Sequence, residues 1–595
     1  MTSGSSKRTS PTSTTLAEPG WSVRDVITLA ILLALALLMM MRLGSRRGAE
    51  LMPWPDGLEY AAQAVNLDQG RGAVLHFGGY SYPSRYPQGY PLILAAALPI
   101  IGHDVALLYA VTIAIGLCAI VAVYLLALKL FDRLSAALAA VLLALCPVFI
   151  TYSTLVLSDV PTTTVTILAA WALARATDEE GRPGREAALY AMWIILGFIA
   201  GFSTIMRPTN AMIVGAIALA LIAVPPRGVG IRGMAAATAS FFVALTIMPL
   251  LQLHSNAINL GGALSSGYGW WVPEVYSQSG RQLNLSHLFG PTLPRNPHGN
   301  VPVYVTALLG LDGMLGDRGD HRYFLYPFPA AAFALVGIIA ALRDREQRTT
   351  RRLVYFGLAL LGLLFAVYIF DLFTETAYLL PGVFIVFITA GYGAVVANRW
   401  MRAAFSAPGR GAPRLAATIG VVILDLLLLI ALATEISVRL AAEPQQSPTI
   451  ESLQQIESNV SRGATIVSNI SLQLLELYLS GASRKFVAVN SRDPGERFTD
   501  YHLNRLFAKR ALGWGGPIPQ VLFADDVMTT AVVNGLNTDA RSTDGAYLLL
   551  GAPESPDYAT VLREEVDKLA AAFTLEPVLQ NRKVGLFKLK SHSGQ

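Results

Sequence analysis

About eleven apolar runs, each near the ~20 residues that cross ~30 Å of hydrocarbon, leave this chain essentially one class of fold. They fall at 25–43, 105–129, 134–152, 160–176, 188–206, 209–224, 235–253, 326–342, 353–370, 379–397 and 416–437. Inside a bilayer the backbone must satisfy its own hydrogen bonds, so such runs are helices. Charged residues make up 14% of the chain and hydrophobic ones 53%, whereas soluble domains carry about a quarter charged residues. The expectation is an α-helical polytopic membrane protein with about eleven transmembrane helices. The apolar stretch 91–101 is too short to span and reads as an interfacial or re-entrant helix. Spans five and six are separated only by Arg207-Pro208, as a tight hairpin or a less regular pair.

Residues 1–24 are polar and rich in Ser, Thr and Pro, the composition of a disordered N-terminus. The run 25–43 reads as an uncleaved anchor, because the polar stretch before it is long and no Ala-x-Ala site follows. Basic residues set the orientation. The loops after spans two, four, six, eight and ten carry Lys129 and Arg133, Arg175 to Arg185, Arg227 and Arg232, Arg343 to Arg352, and Arg399 to Arg414. The alternate short loops 153–159, 207–208 and 371–378 hold only Arg207. The expected N-terminus is therefore cytoplasmic in a plasma (inner) membrane. The loops 44–104 and 254–325 and the tail 441–595 then face outward, with 25–440 as the membrane domain.

The tail alternates strand-type runs (464–468, 485–489, 521–524, 546–550, 584–589) with helical patterns (449–458, 472–479, 501–512, 526–534, 558–573). That alternation suggests an extracytoplasmic α/β domain with a partly parallel sheet. It shows no Gly-rich phosphate loop or nucleophile elbow, so it reads as a binding or positioning module. A net charge of +5 over 595 residues makes nucleic acid an unexpected partner. Cys118 and Cys146 lie in apolar segments as packing residues, leaving no disulfide framework or thiolate metal site. The loop histidines His254, His287, His298 and His321 have no metal-type spacing.

Polar residues at the outward helix ends carry the candidate chemistry. Asp56 and Glu59 follow Pro55 where a helical pattern begins. They read either as a helix-capping aspartate with a favourable neighbour or as working carboxylates. Asp159 sits between two apolar runs before Pro161, again as a cap or as a buried functional acid. Arg207 could clamp phosphate oxygens, pair with Asp159, or reach headgroups. Tyr268 and Trp270, within Ser265-Ser266-Gly267-Tyr268-Gly269-Trp270-Trp271, fit an interfacial aromatic belt or a platform for a sugar ring. Asp371 and Glu375, close to Tyr378, fit a solvated turn or the same cavity.

These elements, in this order, resemble the GT-C superfamily of membrane glycosyltransferases. They are Pro55-Asp56 with Tyr60, the turn Tyr86-Pro87-Gln88-Gly89-Tyr90-Pro91, Leu157-Ser158-Asp159, Met206-Arg207-Pro208 and Tyr378-Leu379-Leu380-Pro381. The resemblance covers roughly 25–440. It is nearest to the dolichyl-phosphate-mannose protein mannosyltransferases, lipid A aminoarabinose transferases and Rgt-like lipopolysaccharide transferases. It implies inverting transfer of a sugar from a polyprenyl-phosphate donor to an extracytoplasmic lipid, glycan or protein hydroxyl. Asp56 would be the catalytic residue that deprotonates the acceptor hydroxyl or orients it, and Arg207 the partner of the leaving phosphate. Glu59, Tyr60, Arg85, Tyr86, Asp159, Tyr268, Trp270, Glu375 and Tyr378 would line the substrate site. Some relatives place a metal-binding glutamate before the turn, where this chain has Ser84 and Arg85, so a divalent metal stays open. Ala377 stands where Rgt-like members carry arginine. Competing classes are a transporter or flippase for lipid-linked glycans and a non-catalytic scaffold; no inverted internal repeat is visible for the former.

Overall fold

The computed structural model describes residues 22–592 apart from 277–282, 294–296, 312–323, 407–411, 442–447, 480–483, 491–500, 520, 524–529, 552–568 and 581–583. The expected N-terminal disorder, His321 and most of the tail helix expected at 558–573 lie outside the described residues. All eleven apolar runs are helical. Among the described residues, seven helices are long and apolar enough to cross a membrane. An eighth counts if Arg133–Ala144 and Pro147–Ser153, bent by 63°, form one broken span.

The difference from eleven has local causes. The helix Met212–Ala223 has 12 residues and Phe328–Arg343 has 16, both short of a full crossing. The helix Asp159–Glu179 carries Thr162, Thr163, Thr164 and Thr166 within its apolar run. Three of these hydroxyls donate back to carbonyls one turn earlier, Thr163 to Asp159, Thr164 to Val160 and Thr166 to Thr162, which lets polar side chains sit inside a buried helix. Close packing elsewhere rests on small residues. Gly197 and Gly201 bring Glu186–Met206 so near Ile231–Leu260 that an added Cβ would run into the Phe241 and Leu245 carbonyls.

The bundle has polar layers at its two ends. Asp159 and Arg207 meet where Asp159–Glu179 begins and Glu186–Met206 ends. At the other end of Asp159–Glu179, Arg352 is fully buried against Glu180 and donates to the Val224 carbonyl at 2.7 Å. A 21-residue helix separates the layers, about 30 Å at 1.5 Å per residue and the thickness of a hydrocarbon core.

A compact loop covers the Asp159 end. Helix α1 (Asp56–Asp68) leads into a hairpin of β1 (Val74–Phe77) and β2 (Tyr80–Pro83), then through the turn at Ser84–Gln88 into α2 (Gly89–Ala97). This last helix is the short one expected at 91–101. The C-terminal region packs on this loop with a six-stranded sheet. Its parallel part is β3 (Thr465–Ser468), β4 (Lys485–Asn490), β5 (Val521–Phe523) and β6 (Ala546–Gly551). β7 (Phe573–Gln580) and β8 (Val584–Ser591) complete it as an antiparallel edge. The five expected strands form; β7, unforeseen, occupies the stretch just past the helical pattern ending at 573.

The two parts share a core. Leu75, Phe77 and Tyr82 of the hairpin cluster with Trp271 and with Leu503 and Leu506 of the C-terminal region. Tyr82 donates to the Pro517 carbonyl at 3.2 Å, and Glu476 accepts from the Gly78 amide at 2.6 Å. The loop at 267 closes on the same place, where a Cβ on Gly267 would strike the Ser84 carbonyl and the Arg85 backbone. Gly267→Ala should therefore destabilise the fold by about 1–3 kcal/mol, the cost of an overpacked contact, read as a lower thermal midpoint in detergent. Gly420→Ala, at a position with nothing within 4 Å, should leave the midpoint unchanged or slightly raised.

Candidate active site

The first helical residue of α1 is Asp56; Pro55 occupies the cap position and no side-chain cap forms. The capping alternative for Asp56 is thus not realised, and its carboxylate turns to Arg85, 2.9 Å from Nη2. One turn on, Glu59 meets the same guanidinium, with Arg85 Nε donating at 2.6 Å. The two carboxylates differ sharply in exposure: the Asp56 side chain is 39% exposed and that of Glu59 is 0%.

Glu59 is saturated. Its Oε2 accepts from the Arg85 amide at 2.9 Å and the Ser84 hydroxyl at 3.1 Å, and His502 Nε2 lies 3.0 Å from Oε1. Burial alone would push this carboxyl up. The Arg85 charge and the His502 contact outweigh it and hold the group down at about 2. Glu59, expected among the substrate-lining residues, is fully enclosed by these partners. His502 went unnoticed in the sequence because 443 positions separate it from its partner. It packs between Phe77 and Trp271, and its neighbour Tyr501 lies under the Arg85 guanidinium at 4.8 Å.

A second ion pair stands nearby. Asp159 is the first residue of its helix, with Ser158 at the cap position and no side-chain cap, and Arg207 Nη1 reaches its Oδ1 at 2.6 Å. Of the three uses the sequence allowed for Arg207, pairing with Asp159 is the one seen. The Arg207 guanidinium also covers the Tyr378 ring at 4.8 Å, and Tyr378 stacks on Tyr368. Tyrosines bridge the two pairs. Tyr60 hydrogen-bonds Ser158 at 3.1 Å and stacks on Tyr86 at 4.5 Å, while Tyr268 meets Tyr86 edge-on at 5.5 Å. Burial pushes the Tyr60, Tyr86 and Tyr268 phenols well above their usual range, so they stay neutral O–H groups at any working pH.

Other expected residues have partners of their own. Glu375 accepts from Tyr152 at 2.7 Å. Asp371 accepts from the Phe373 amide at 2.9 Å, the geometry of a local turn. Trp270, expected beside the substrate, is turned toward the C-terminal region, edge-on to Trp514 and with Lys509 Nζ 4.0 Å above its ring.

The fold resembles that of solved membrane glycosyltransferases. ArnT from Cupriavidus metallidurans aligns over 95% of this chain and 97% of its own, at 13% identity. The TM-score is 0.55 for its apo state and 0.56 for the form bound to undecaprenyl phosphate. The Archaeoglobus fulgidus oligosaccharyltransferase tethered with an acceptor peptide aligns over 96% of this chain and 74% of its own, at 9% identity and TM-score 0.50. Residues 86–252 match the family model of dolichyl-phosphate-mannose-protein mannosyltransferase. The chain thus shares the fold of these membrane enzymes, and one segment of it matches the mannosyltransferase family. No curated protein matches it by sequence.

The position before the turn, where the sequence resemblance left a metal open, is occupied by the Arg85 ion pairs. Asp56 and Glu59 are both engaged by that cation, and among the described residues no group of three or more His, Cys, Asp or Glu side chains could hold a metal. The donor set does not fit a divalent ion. Removing the Glu59 charge should be costly. Glu59→Gln leaves Arg85 buried with one carboxylate partner, and breaking a buried pair typically costs about 3–5 kcal/mol, measurable as a lower midpoint. Because the folded pKa is depressed, Glu59 stabilises fully above its ordinary value of 4.5, and that contribution fades as pH falls toward about 2. A pH series should show the difference between wild type and Glu59→Gln shrinking across that window.

Proposed function

We propose that the chain transfers a sugar from a polyprenyl-phosphate carrier to a hydroxyl of a lipid, glycan or protein acceptor, with inversion at the anomeric carbon. The observation that carries this reading is the unequal carboxylate pair on Arg85: Glu59 fully enclosed and Asp56 more than one-third exposed. A general base must reach its proton, and of the two only Asp56 does. In the proposed step Asp56 takes the acceptor proton as the acceptor oxygen bonds to the anomeric carbon. The bond from that carbon to the phosphate oxygen breaks, and the carrier leaves as polyprenyl phosphate. Charge gathers on that phosphate, and Arg207, held by Asp159 and Tyr378, is the cation we assign to it. Tyr60 and Tyr86, kept protonated by burial, can donate to its oxygens or to the sugar.

The two polar layers support an orientation. The loops rich in arginine and lysine join helices at the Glu180–Arg352 end, opposite the site, so the positive-inside rule directs the site to the extracytoplasmic face. The carrier's phosphate would then lie at the interface and its isoprenoid tail among the helices.

Asp56→Asn should lower kcat/KM for transfer by about 10²–10⁴-fold without weakening binding of bare polyprenyl phosphate; an active variant would remove the proposed base. Arg207→Gln should cost about 10²–10³-fold in kcat. A cysteine at position 375 should react with a membrane-impermeant maleimide in intact cells. Protection there with labelling in inverted vesicles would reverse the orientation.

A further inference from the structure

A cavity of about 320 Å³ adjoins Arg85, bounded by the turn at 83–88, the 266–268 loop and one face of Ile231–Leu260. Its size falls within the ~300–1,000 Å³ of small-ligand sites. Among the described residues no acidic side chain lines it, and Arg85 is its one charged side chain. That charge is already answered by Asp56 and Glu59. The rest of its polar wall is amide and hydroxyl. Gln252 accepts from the Gln88 amide and donates to Asn256 at 2.8 Å, and Asn259 donates to Ser255 at 3.2 Å.

One member of the wall is incomplete. Gln63 is fully buried, and its Oε1 has no hydrogen-bond partner. The network fixes that polarity. Ser84 gives its proton to Glu59, so it can only accept from Gln63 Nε2, and the same nitrogen also faces the Tyr86 carbonyl. Turning the amide over would set its oxygen against the Tyr86 carbonyl oxygen. The buried carboxylate thus commits Gln63 to present a bare acceptor, and leaving a buried acceptor unpaired costs about 1–3 kcal/mol. An O–H from a ligand would satisfy it.

We propose that this cavity is a subsite for a neutral, hydroxyl-rich sugar, with Gln63 Oε1 accepting one of its hydroxyls and the Gln252–Asn256 amides contacting others. The assignment rests on the glycosyltransferase reading and narrows it. With no carboxylate on the wall, a cationic amino sugar has no counter-charge there, and neutral hexoses or pentoses are favoured. Both donor and acceptor sugars have this chemistry, and the test separates them.

Full-length protein in lipid nanodiscs is titrated with bare polyprenyl phosphate, with polyprenyl-phosphate-glucose, with polyprenyl-phosphate-4-amino-4-deoxyarabinose, and with a neutral trisaccharide as acceptor probe. Wild type and the variants Gln63→Met and Asn256→Leu are compared, with thermal midpoints recorded to confirm folding. If the subsite takes the donor sugar, glucose on the carrier tightens wild-type binding over bare carrier, and each variant loses about three- to tenfold of that gain. If it takes the acceptor, the variants lose that factor for the trisaccharide alone. In either case, binding of bare carrier is unchanged. The proposal is overturned if folded variants bind both sugars as wild type does, or if the amino sugar binds more tightly than glucose. Failure of wild type to bind bare carrier would instead count against the glycosyltransferase reading.

Discussion

A carboxylate removed from water stays ionised only when both its oxygens are paired, and Glu59 meets that condition through groups drawn from distant parts of the chain. Ser84 and the backbone and side chain of Arg85 come from the first loop, and His502 comes from the C-terminal region. The remaining geometry follows. Arg85 is pinned at Nε, which leaves Nη2 to hold Asp56 at the rim. Ser84 is turned to donate, which sets Gln63. A buried charge with a fixed set of partners converts several flexible side chains into one arrangement, because every alternative strands an ion in a dry site.

The two ion pairs of the site differ in what they leave over. Arg85 is surrounded by two carboxylates and by the Tyr86 and Tyr501 rings, so its charge is largely spent inside the protein. Arg207 faces a single carboxylate and one aromatic face. Under the proposed function, a developing phosphate charge would therefore be better met at Arg207, with Arg85 aligning Asp56. The tyrosines between them supply neutral donors and a rigid wall without adding charge that would compete for either cation.

Much of this was legible in the chain itself. Apolar runs near twenty residues mark helices wherever they occur, and all eleven are helical; threonines and short lengths, as in Asp159–Glu179 and Met212–Ala223, explain why fewer qualify as crossings. The tail strands show because a buried parallel strand is a short apolar run, as in Ala546–Gly551. β7 escaped because its edge position leaves it alternating and half exposed, with Pro577 and Glu576 inside it. Asp56, Asp159 and Arg207 stood out because charge beside apolar sequence is conspicuous. His502 and Gln63 did not, since each is an ordinary residue of an amphipathic helix until the fold supplies its neighbour. The cap readings of Asp56 and Asp159 had the right helix start; Arg207 was among the partners the sequence offered Asp159, whereas the Arg85 partner of Asp56, 29 positions away, left no local trace.

The clasp between His502 and Glu59 also bears on the order of events during synthesis. The ribosome makes residues 56–85 early, and they reach the membrane surface with Glu59 lacking one of its partners. More than four hundred residues, including every membrane helix but the first, must follow before His502 arrives. The bundle can thus be inserted and packed while its working loop is still unfinished, and truncated chains ending before the C-terminal sheet would carry the loop without its last constraint. Completion of the site becomes a late checkpoint on the whole polypeptide, and the C-terminal region is the part that passes it.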